Sequence, residues 1–398
     1  MLKNSLDNVV LNFENQEFIN NNLTIDVTKL LLKQSLNTSV DIKLLIEQIE
    51  AKKRCKKKLP TWFSTKKIYY PNKLNIEQTS SEIAALYKAD LVSGESLIDL
   101  TGGFGVDCFY FSKQVNHVYH CEIDSKLSQI VRHNYKQLNI DNITCYPENG
   151  IITLESQKKN YDWIYVDPSR RDLTKGKVFL LDDCLPNVPK HLELLFKYSK
   201  NIMIKTSPLL DITSGISELR CVKAIHSVAV NNEVKELLWV LERDFSGEIE
   251  IKSINIAKDK KQVFNFYLNE ESIAYKGLSI PLTYLYEPNA ALLKTGAFNV
   301  LAEKLALKKL HKHSHLYTSK KLVDFPGRCF EIINVLEYNK KKFKTVFKET
   351  EANVTIRNFP ESVQQIRKKL KLKDGGSDYL FFTTNLDNKK IIIVTKKA

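Results

Sequence analysis

Short apolar runs recur along the first two thirds of the chain, separated by segments in which apolar residues recur every three or four positions. The short runs predict buried β-strands, and the periodic segments predict amphipathic helices. Strands that alternate with helices favour a doubly wound α/β sheet. The predicted strands cover residues 97–100, 118–123, 143–145, 163–166, 201–205, 222–230 and 234–241.

Several connecting segments carry start or turn signals. Asn231-Asn-Glu233 predicts a tight hairpin between the last two strands, and a second hairpin is predicted over 249–268. Asp124 is predicted to cap a helix whose apolar face holds Leu127, Ile130, Val131, Tyr135 and Leu138. Thr79-Ser-Ser-Glu82 has the spacing of a capping box, before a helix with Ile83, Leu86, Tyr87 and Leu91 on one face. A further helix is predicted over 298–310.

Three of the chain's 13 glycines lie within four positions, directly after the first predicted strand, in Asp99-Leu-Thr-Gly-Gly-Phe-Gly105. Glycine adopts positive φ and lets the backbone approach a ligand closely. A dinucleotide site would need another glycine where Cys108 stands, and no phosphate-loop lysine follows. A different nucleotide cofactor remains possible, and so does an ordinary tight turn.

The turn resembles motif I of class I S-adenosylmethionine-dependent methyltransferases, although Thr101 stands where that family's first loop glycine usually lies. The resemblance implies a seven-stranded Rossmann-like methyltransferase sheet whose last strand is antiparallel. It also implies a set of S-adenosylmethionine contacts. They are Asp99, Thr101, Gly102, Gly103 and Gly105 for the methionine end, Glu122 for the ribose, and Glu148 or Asn149 for the adenine. The alternatives are a solvated strand end at Glu122 and a plain turn at Glu148-Asn149.

The fourth predicted strand runs directly into Asp167-Pro-Ser-Arg-Arg171. This segment resembles the Asp-Pro-Pro-Arg variant of motif IV in several RNA methyltransferases, with Ser169 in place of the second proline. The resemblance implies that Asp167 is catalytic and lines the target site. Candidate substrate-binding residues are Arg170, Arg171 and Lys205. The alternative is a turn capped by Asp167, with the two arginines paired to acids.

Basic residues are concentrated on both sides of the predicted catalytic domain. The chain has a net charge of +14; residues 51–75 hold nine basic residues and no acid, and residues 301–398 hold 22 basic and 10 acidic residues. Such flanks favour a polyanion such as RNA. Next to the first flank stand aromatic residues that suit splayed bases, namely Trp62, Phe63, Tyr69 and Tyr70. The alternative is a solvated lysine-rich surface.

The C-terminal part, including Tyr286-Glu-Pro-Asn289 and Phe325-Pro-Gly327, resembles that of a bacterial methyltransferase family with a ferredoxin-like segment and a THUMP-like domain. The resemblance implies delivery of an RNA, tRNA or rRNA, by analogy with true THUMP domains. Four regions are predicted: an N-terminal helical region with a basic linker (1–75), a class I methyltransferase domain (76–245), a hairpin with the ferredoxin-like segment (246–318) and the THUMP-like domain (319–398).

Other features restrict the compartment and the partners. Asp7, Glu14 and Glu17 interrupt any signal-peptide core, and no apolar stretch approaches the roughly 20 residues needed to span a bilayer. The seven cysteines are scattered, which is typical of reduced thiols, so a cytoplasmic protein with no membrane partner is predicted. His311-x-His-x-His315 could bind zinc or copper from a strand, but a hydrated loop is favoured and no metal is predicted.

The predicted function is therefore an S-adenosylmethionine-dependent methyltransferase acting on RNA. Two alternatives stay open. One is a non-catalytic RNA-binding protein with a degenerate methyltransferase fold, which Thr101 and Ser169 favour. The other is a methyltransferase acting on DNA or protein.

Overall fold

The computed structural model describes residues 8–25, 30, 42–170, 180–257, 260–275 and 277–398. The chain forms two compact units. The first consists of Met1–Lys223 with Leu237–Ser246, and the second of Ala224–Glu236 with Gly247–Ala398.

The strands up to the second hairpin include all those predicted, and two further short strands were not predicted. They are β1 (Gly94–Asp99), β2 (Val115–Cys121), β3 (Ile143–Tyr146), β4 (Tyr161–Val166), the short β5 (Ser169–Arg170) and β6 (Cys184–Leu185), β7 (Ser199–Thr206), β8 (Val222–Val230), β9 (Glu233–Glu242), β10 (Glu250–Ala257) and β11 (Lys260–Tyr267). All seven predicted strands and both predicted hairpins are confirmed. Asn231 and Asn232 both have positive φ, as the tight turn before β9 requires.

The sheet of the first unit has the order β3-β2-β1-β4-β7-β9. Neighbours from β3 to β7 are parallel, whereas β9 is antiparallel to β7, as predicted. Parallel strands buried on both faces read as continuous apolar runs, which is why the sequence revealed them. Their carboxyl ends meet at one edge, and Asp99, Glu122 and Asp167 stand there at or after the ends of β1, β2 and β4.

Helices of the first unit are α1 (Phe13–Asn21), α2 (Ile42–Lys58), α3 (Pro60–Ser64), α4 (Lys73–Gln78), α5 (Glu82–Ala89), α6 (Val106–Phe111), α7 (Ser125–Gln137), α8 (Gly150–Gln157), α9 (Val188–Tyr198) and α10 (Ile212–Glu218). The predicted cap of α7 is confirmed: Asp124 accepts hydrogen bonds from the Lys126 and Leu127 amides at 2.9 and 3.2 Å. Of its predicted apolar face, Leu127, Ile130, Val131 and Tyr135 are buried.

The predicted capping box before α5 is wrong by two residues. Ser81, not Thr79, is the N-cap. Glu82 does not return to the cap, because its carboxylate accepts hydrogen bonds from the Thr61 amide and hydroxyl at 2.6 and 2.7 Å and from the Tyr110 hydroxyl at 2.8 Å. These tertiary bonds to a buried charged group outweigh the local box.

The buried face of α5 also differs from the predicted one. Ala84, Tyr87 and Lys88 are buried, whereas Ile83 and Leu86 are exposed. The predicted apolar face was therefore wrong at Ile83 and Leu86.

The aromatic residues beside the first basic flank belong to the core. Trp62, Tyr69 and Tyr70 are buried, and Phe63 is half-buried. The Tyr70 hydroxyl donates to the Trp62 carbonyl at 2.9 Å, and the Gln48 amide bonds both backbone groups of Tyr70. The prediction that these rings stack on RNA bases is therefore wrong for the three buried ones.

The second unit contains β8, β10 and β11, with β10 parallel to β8 and antiparallel to β11. Its further strands are β12 (Tyr284–Pro288), β13 (Lys308–Lys309), β14 (Tyr317–Ser319), β15 (Gly327–Glu337), β16 (Asn353–Arg357), β17 (Tyr379–Thr384) and β18 (Lys390–Lys397). They form a sheet with the order β13-β14-β12-β15-β18-β17-β16. Helices of this unit are α11 (Glu270–Ile273), α12 (Ala290–Thr295), α13 (Asn299–Lys304), α14 (Lys340–Val346) and α15 (Val363–Leu370).

The helix predicted over 298–310 is shorter than expected. It ends at Lys304, because Ala306 has a left-handed backbone with φ +52° that a helix cannot continue through. The chain then forms β13.

The Tyr286–Asn289 motif organises the second unit. The buried Glu287 carboxylate pairs with Arg328, and its other oxygen lies 2.7 Å from Arg357 Nη2. A Cβ on Gly327 would lie 2.1 Å from the Glu287 carbonyl oxygen, so only glycine fits there. Both motifs noted in the C-terminal sequence thus have structural roles: one supplies the carboxylate that pairs with two arginines, and the other supplies the glycine that lets two strands approach.

The histidine cluster was predicted to form a hydrated loop, which is wrong for His311. His311 is buried, and its Nδ1 receives hydrogen bonds from the Asn358 side chain and the His313 amide at 3.0 and 3.1 Å. Its Nε2 lies 3.1 Å from Asn388 Oδ1. Among the described residues there is no group of three or more His, Cys, Asp or Glu side chains placed to hold a metal ion. Over the same residues, no helix is both long and apolar enough to cross a membrane.

Candidate active site

The turn after β1 is held by Asp99 and Thr101. Asp99 is buried, and its Oδ1 accepts from the Thr101 amide at 2.8 Å and hydroxyl at 3.2 Å, while Oδ2 accepts from Cys108 Sγ at 3.2 Å. Burial raises the pKa of Asp99 to about 7. The Asp99 carboxylate therefore fixes the turn from within.

Thr101 also joins this turn to the loop after β4. Its hydroxyl oxygen accepts a hydrogen bond from the Asp167 amide at 2.7 Å, while its own proton points to Asp99. A glycine at this position could make neither bond. The departure from the usual motif thus has a physical role in holding the turn.

Replacing Thr101 by valine keeps the size of the side chain and leaves the Asp167 amide without its acceptor. We expect the free energy of unfolding to fall by about 1–3 kcal/mol. Thr101→Ser, which retains the hydroxyl, should lose less than about 1 kcal/mol. Urea denaturation of the three proteins measures both effects. Equal losses in the two variants would show that the bridge contributes nothing to stability.

The three glycines of the turn have different surroundings. A Cβ on Gly102 would lie 2.3 Å from the His120 ring, and a Cβ on Gly105 would lie 2.2 Å from the Tyr135 hydroxyl oxygen. A Cβ on Gly103, where φ is +54°, would meet only the Thr101 carbonyl oxygen, at 3.8 Å. Gly102 and Gly105 thus allow packing inside the domain, whereas Gly103 borders open space.

Glu122, which follows β2, is bound to the same turn. Its carboxylate oxygens accept hydrogen bonds from the Gly103 amide at 2.9 Å and from the Asp124 amide at 2.8 Å. Partial burial raises the pKa of this carboxyl group. Each carboxylate oxygen has a second lone-pair site, so Glu122 can still accept hydrogen bonds from a ligand.

The loop after β3 contains the two adenine candidates. Asn149 caps α8 by accepting from the Ile151 amide at 2.9 Å, and Glu148 Oε2 lies 3.5 Å from the Thr153 hydroxyl. Ile123 and Ile152 are 71% and 59% exposed beside the loops after β2 and β3.

Asp167 and Lys205 lie together. Asp167 follows β4, Lys205 is near the end of β7, and the Lys205 ammonium group pairs with Asp167 Oδ2. The Lys205 side chain is 13% exposed and that of Asp167 is 33% exposed. The adjacent parallel strands β4 and β7 thus bring together two residues that the sequence separates by 38 positions. The Arg170 side chain and all of Arg171 lie outside the described residues.

A buried polar network under the turn was not predicted. Lys88 is fully buried and lies 3.2 Å from Asp107 Oδ1, while Asp107 Oδ2 accepts from the Ser80 and Tyr165 hydroxyls at 2.9 Å each. Lys88 also donates to Ser80 at 3.0 Å. A buried cation needs such a partner set, and the network connects α5, α6 and β4. The sequence gave no signal that this lysine differs from exposed ones.

Comparison with known proteins identifies the family. A solved structure described as a "putative methyltransferase" from Porphyromonas gingivalis W83 is 30% identical, with a TM-score of 0.85 over 96% of this chain and 97% of that one. The chain belongs to the family of that protein. Its predicted doubly wound α/β fold is a methyltransferase fold, as expected.

Two family models match the C-terminal part of the chain. One, described as a ferredoxin-like domain, covers residues 284–326, and the other, described as THUMP domain-like, covers residues 327–397. Both segments were expected from the resemblance, while the predicted limits of the four regions stay a prediction. None of the curated protein sequences is similar enough to count as a match.

Other solved structures match about two fifths of the chain. One is M. capricolum TrmK with S-adenosylhomocysteine, at 14% identity, TM-score 0.32, and 40% and 68% coverage of the two chains. Another is the Pyrococcus abyssi tRNA (uracil-54, C5)-methyltransferase with the same ligand, at 21% identity, TM-score 0.30, and 41% and 39% coverage. Such low scores carry no argument about this chain.

Proposed function

We propose that the chain is an S-adenosylmethionine-dependent methyltransferase that modifies a nucleotide of RNA, with Asp167 as its catalytic residue. One observation carries the proposal: the glycine turn, Glu122 and the Asp167–Lys205 pair meet at the carboxyl edge of one parallel sheet. Ligands of open α/β sheets bind at this edge. Membership in a methyltransferase family supports the same conclusion.

The residues present fit the cofactor. Gly103 leaves open space at the turn, which suits the methionine end, and Glu122 keeps lone-pair sites for the ribose hydroxyls. Glu148 or Asn149 would contact the adenine, with Ile123 and Ile152 as apolar surfaces beside it. When bound, S-adenosylmethionine supplies an activated methyl group.

The chain's own contribution to the reaction is alignment and proton handling. Lys205 bonds to Asp167 Oδ2 and the Thr101 hydroxyl accepts from the Asp167 backbone amide, so the carboxylate and the backbone of Asp167 are each held by one bond. Asp167 Oδ1 is then placed to accept a hydrogen bond, or a proton, from a poorly nucleophilic nitrogen of the target. Residues that hold a base in place in this way raise the rate without bonding to the substrate.

The proposed RNA substrate rests on the second unit. Its residues 327–397 match a THUMP domain-like model, and residues 301–398 carry a net charge of +12. A basic surface supplies the sequence-independent part of RNA affinity. We propose tRNA or rRNA as the class of RNA and the cytoplasm as the compartment.

Binding of S-adenosylhomocysteine, measured by isothermal titration calorimetry, tests the cofactor assignment. Glu122→Gln should weaken binding by about 10-fold or more, because the side-chain amide has one acceptor oxygen where the carboxylate has two. Its NH2 group is a donor and cannot accept the hydrogen bond from the Gly103 amide. Glu95→Gln, at the amino end of β1, is the matched control and should bind as wild type does. If wild type does not bind, the cofactor assignment is wrong. If wild type binds and Glu122→Gln binds equally well, the cofactor assignment stands and Glu122 is not a ribose contact.

Nucleoside mass spectrometry of total RNA tests the substrate. RNA from cells lacking the gene should lack one methylated nucleoside, and the purified protein should restore it in vitro. No difference in RNA, combined with methylation of DNA or protein, would support the alternative substrates.

A further inference from the structure

The two basic flanks of the chain differ in how their charged side chains are placed in the structure. In the first flank, Lys52 donates to Asn20 Oδ1 at 2.7 Å, Lys53 to the Ile25 carbonyl at 2.6 Å, and Lys58 to the Ile76 carbonyl at 2.8 Å. Arg54 and Lys73 both face Glu77. Five of the nine cations of residues 51–75 therefore have partners within the first unit.

The second flank concentrates its charge on two neighbouring helices. Residues 340–373 contain 11 basic and three acidic residues, a net charge of +8 within the +14 of the whole chain. This segment holds α14 and α15, which pack over one face of the sheet through a shared apolar core. The core residues on or directly after these helices are Phe343, Phe347, Ile366 and Leu370.

The buried residues of these helices are four positions apart and lie on one face, so the side chains on the opposite face point to solvent. From the exposed lysines on or next to these helices we select five and call them the lysine face: Lys340, Lys341, Lys344, Lys368 and Lys371. The ion pairs formed nearby by the described residues use other cations, namely Lys342 with Glu337, Lys369 with Glu361 and Arg367 with Asp374. Glu337, Glu361 and Asp374 are thus already paired, and no ion pair among the described residues involves a lysine of the lysine face.

We infer that the lysine face is the surface on which this protein docks the phosphate backbone of RNA. The inference rests on the proposed function and places the RNA contact on one part of the chain. Lysines are point charges that bind phosphate without reading bases, so the face would supply affinity rather than sequence choice. An anionic membrane would need a face of apolar side chains beside the charges. On α14 the exposed large apolar residue is Val346, so the lysine face suits RNA better than a membrane.

Charge reversal on the full-length protein tests the inference. Lys341→Glu/Lys344→Glu/Lys368→Glu is compared with Lys56→Glu/Lys57→Glu/Lys66→Glu, a matched control that changes the net charge equally at exposed lysines of the first flank. The probe is a mixed-sequence single-stranded RNA of about 20 nucleotides, titrated by fluorescence anisotropy across a salt series. Calorimetry with S-adenosylhomocysteine and thermal melting check that both variants are folded.

The lysine-face variant should bind this RNA about 30- to 100-fold more weakly at 0.1 M salt, and its log–log salt slope should be smaller by about 2, at roughly 0.7 per lost phosphate contact. The control should change less than about 3-fold. Equal weakening in both variants, or none in the lysine-face variant, overturns the inference and leaves the proposed function standing. A wild type that binds no RNA, or prefers vesicles with about 30% phosphatidylserine, overturns both the inference and the proposed RNA substrate.

Discussion

Asp167→Asn is expected to lower turnover by about 100-fold or more while the protein still folds and binds S-adenosylhomocysteine. The substitution keeps the shape of the side chain and removes the negative charge that pairs with Lys205. Asparagine can still accept a hydrogen bond but cannot take a proton at neutral pH. Single-turnover methylation of RNA from cells lacking the gene measures the loss.

The matched control is Asp162→Asn, at the opposite end of the same strand. Asp162 accepts hydrogen bonds from the Glu95 and Ser96 amides at 2.7 and 2.9 Å, far along β4 from the candidate active site. Its substitution should leave turnover within about 3-fold of wild type. If Asp167→Asn loses only a few-fold, Asp167 orients the target without accepting its proton. If wild type itself shows no turnover, the result supports the alternative of a non-catalytic RNA-binding protein.

Gly102→Ala is expected to lower the free energy of unfolding by about 3 kcal/mol, the upper part of the usual range for overpacking. The new methyl group would lie 2.3 Å from the fully buried His120 ring, which has no solvent to move into. Gly103→Ala is the matched control. Its Cβ enters open space and carries only the left-handed backbone strain of about 1–2 kcal/mol.

A double variant shows whether the His120 ring causes the loss. In Gly102→Ala/His120→Ala the ring is absent, so the double variant should be more stable than the sum of the two single effects predicts, by about 1–2 kcal/mol. Urea denaturation of all four proteins gives this coupling energy. Additive effects would place the strain elsewhere in the turn.

The sheet was predictable because its strands are buried on both faces and appear as unbroken apolar runs. The cap at Asp124 was predictable because it depends on residues three positions apart. The start of α5 was not, since Glu82 had a local partner by spacing and a tertiary one at Thr61 that no spacing reveals. Local rules fail where a distant group offers a stronger bond.

The candidate site was predictable as a set of positions and not as a set of contacts. Glycine spacing and strand ends located Gly103, Glu122 and Asp167, but the Asp167–Lys205 pair depends on the order of strands in the sheet. Charge counting also could not tell Lys53, whose ammonium group bonds a carbonyl, from Lys341, which is exposed. Formal charge in a sequence says nothing about which partner a cation finds.

The junction at Glu287 has a consequence for how this architecture is inherited. The boundary between the two matched family models falls at residues 326/327, yet β12 from one side pairs with β15 from the other, and Glu287 binds Arg328 and Arg357 across it. Separating the segments would break a strand ladder and leave a buried carboxylate without its cations, which is costly. The two segments are therefore expected to be inherited together, because each completes the sheet and the ion pairs of the other.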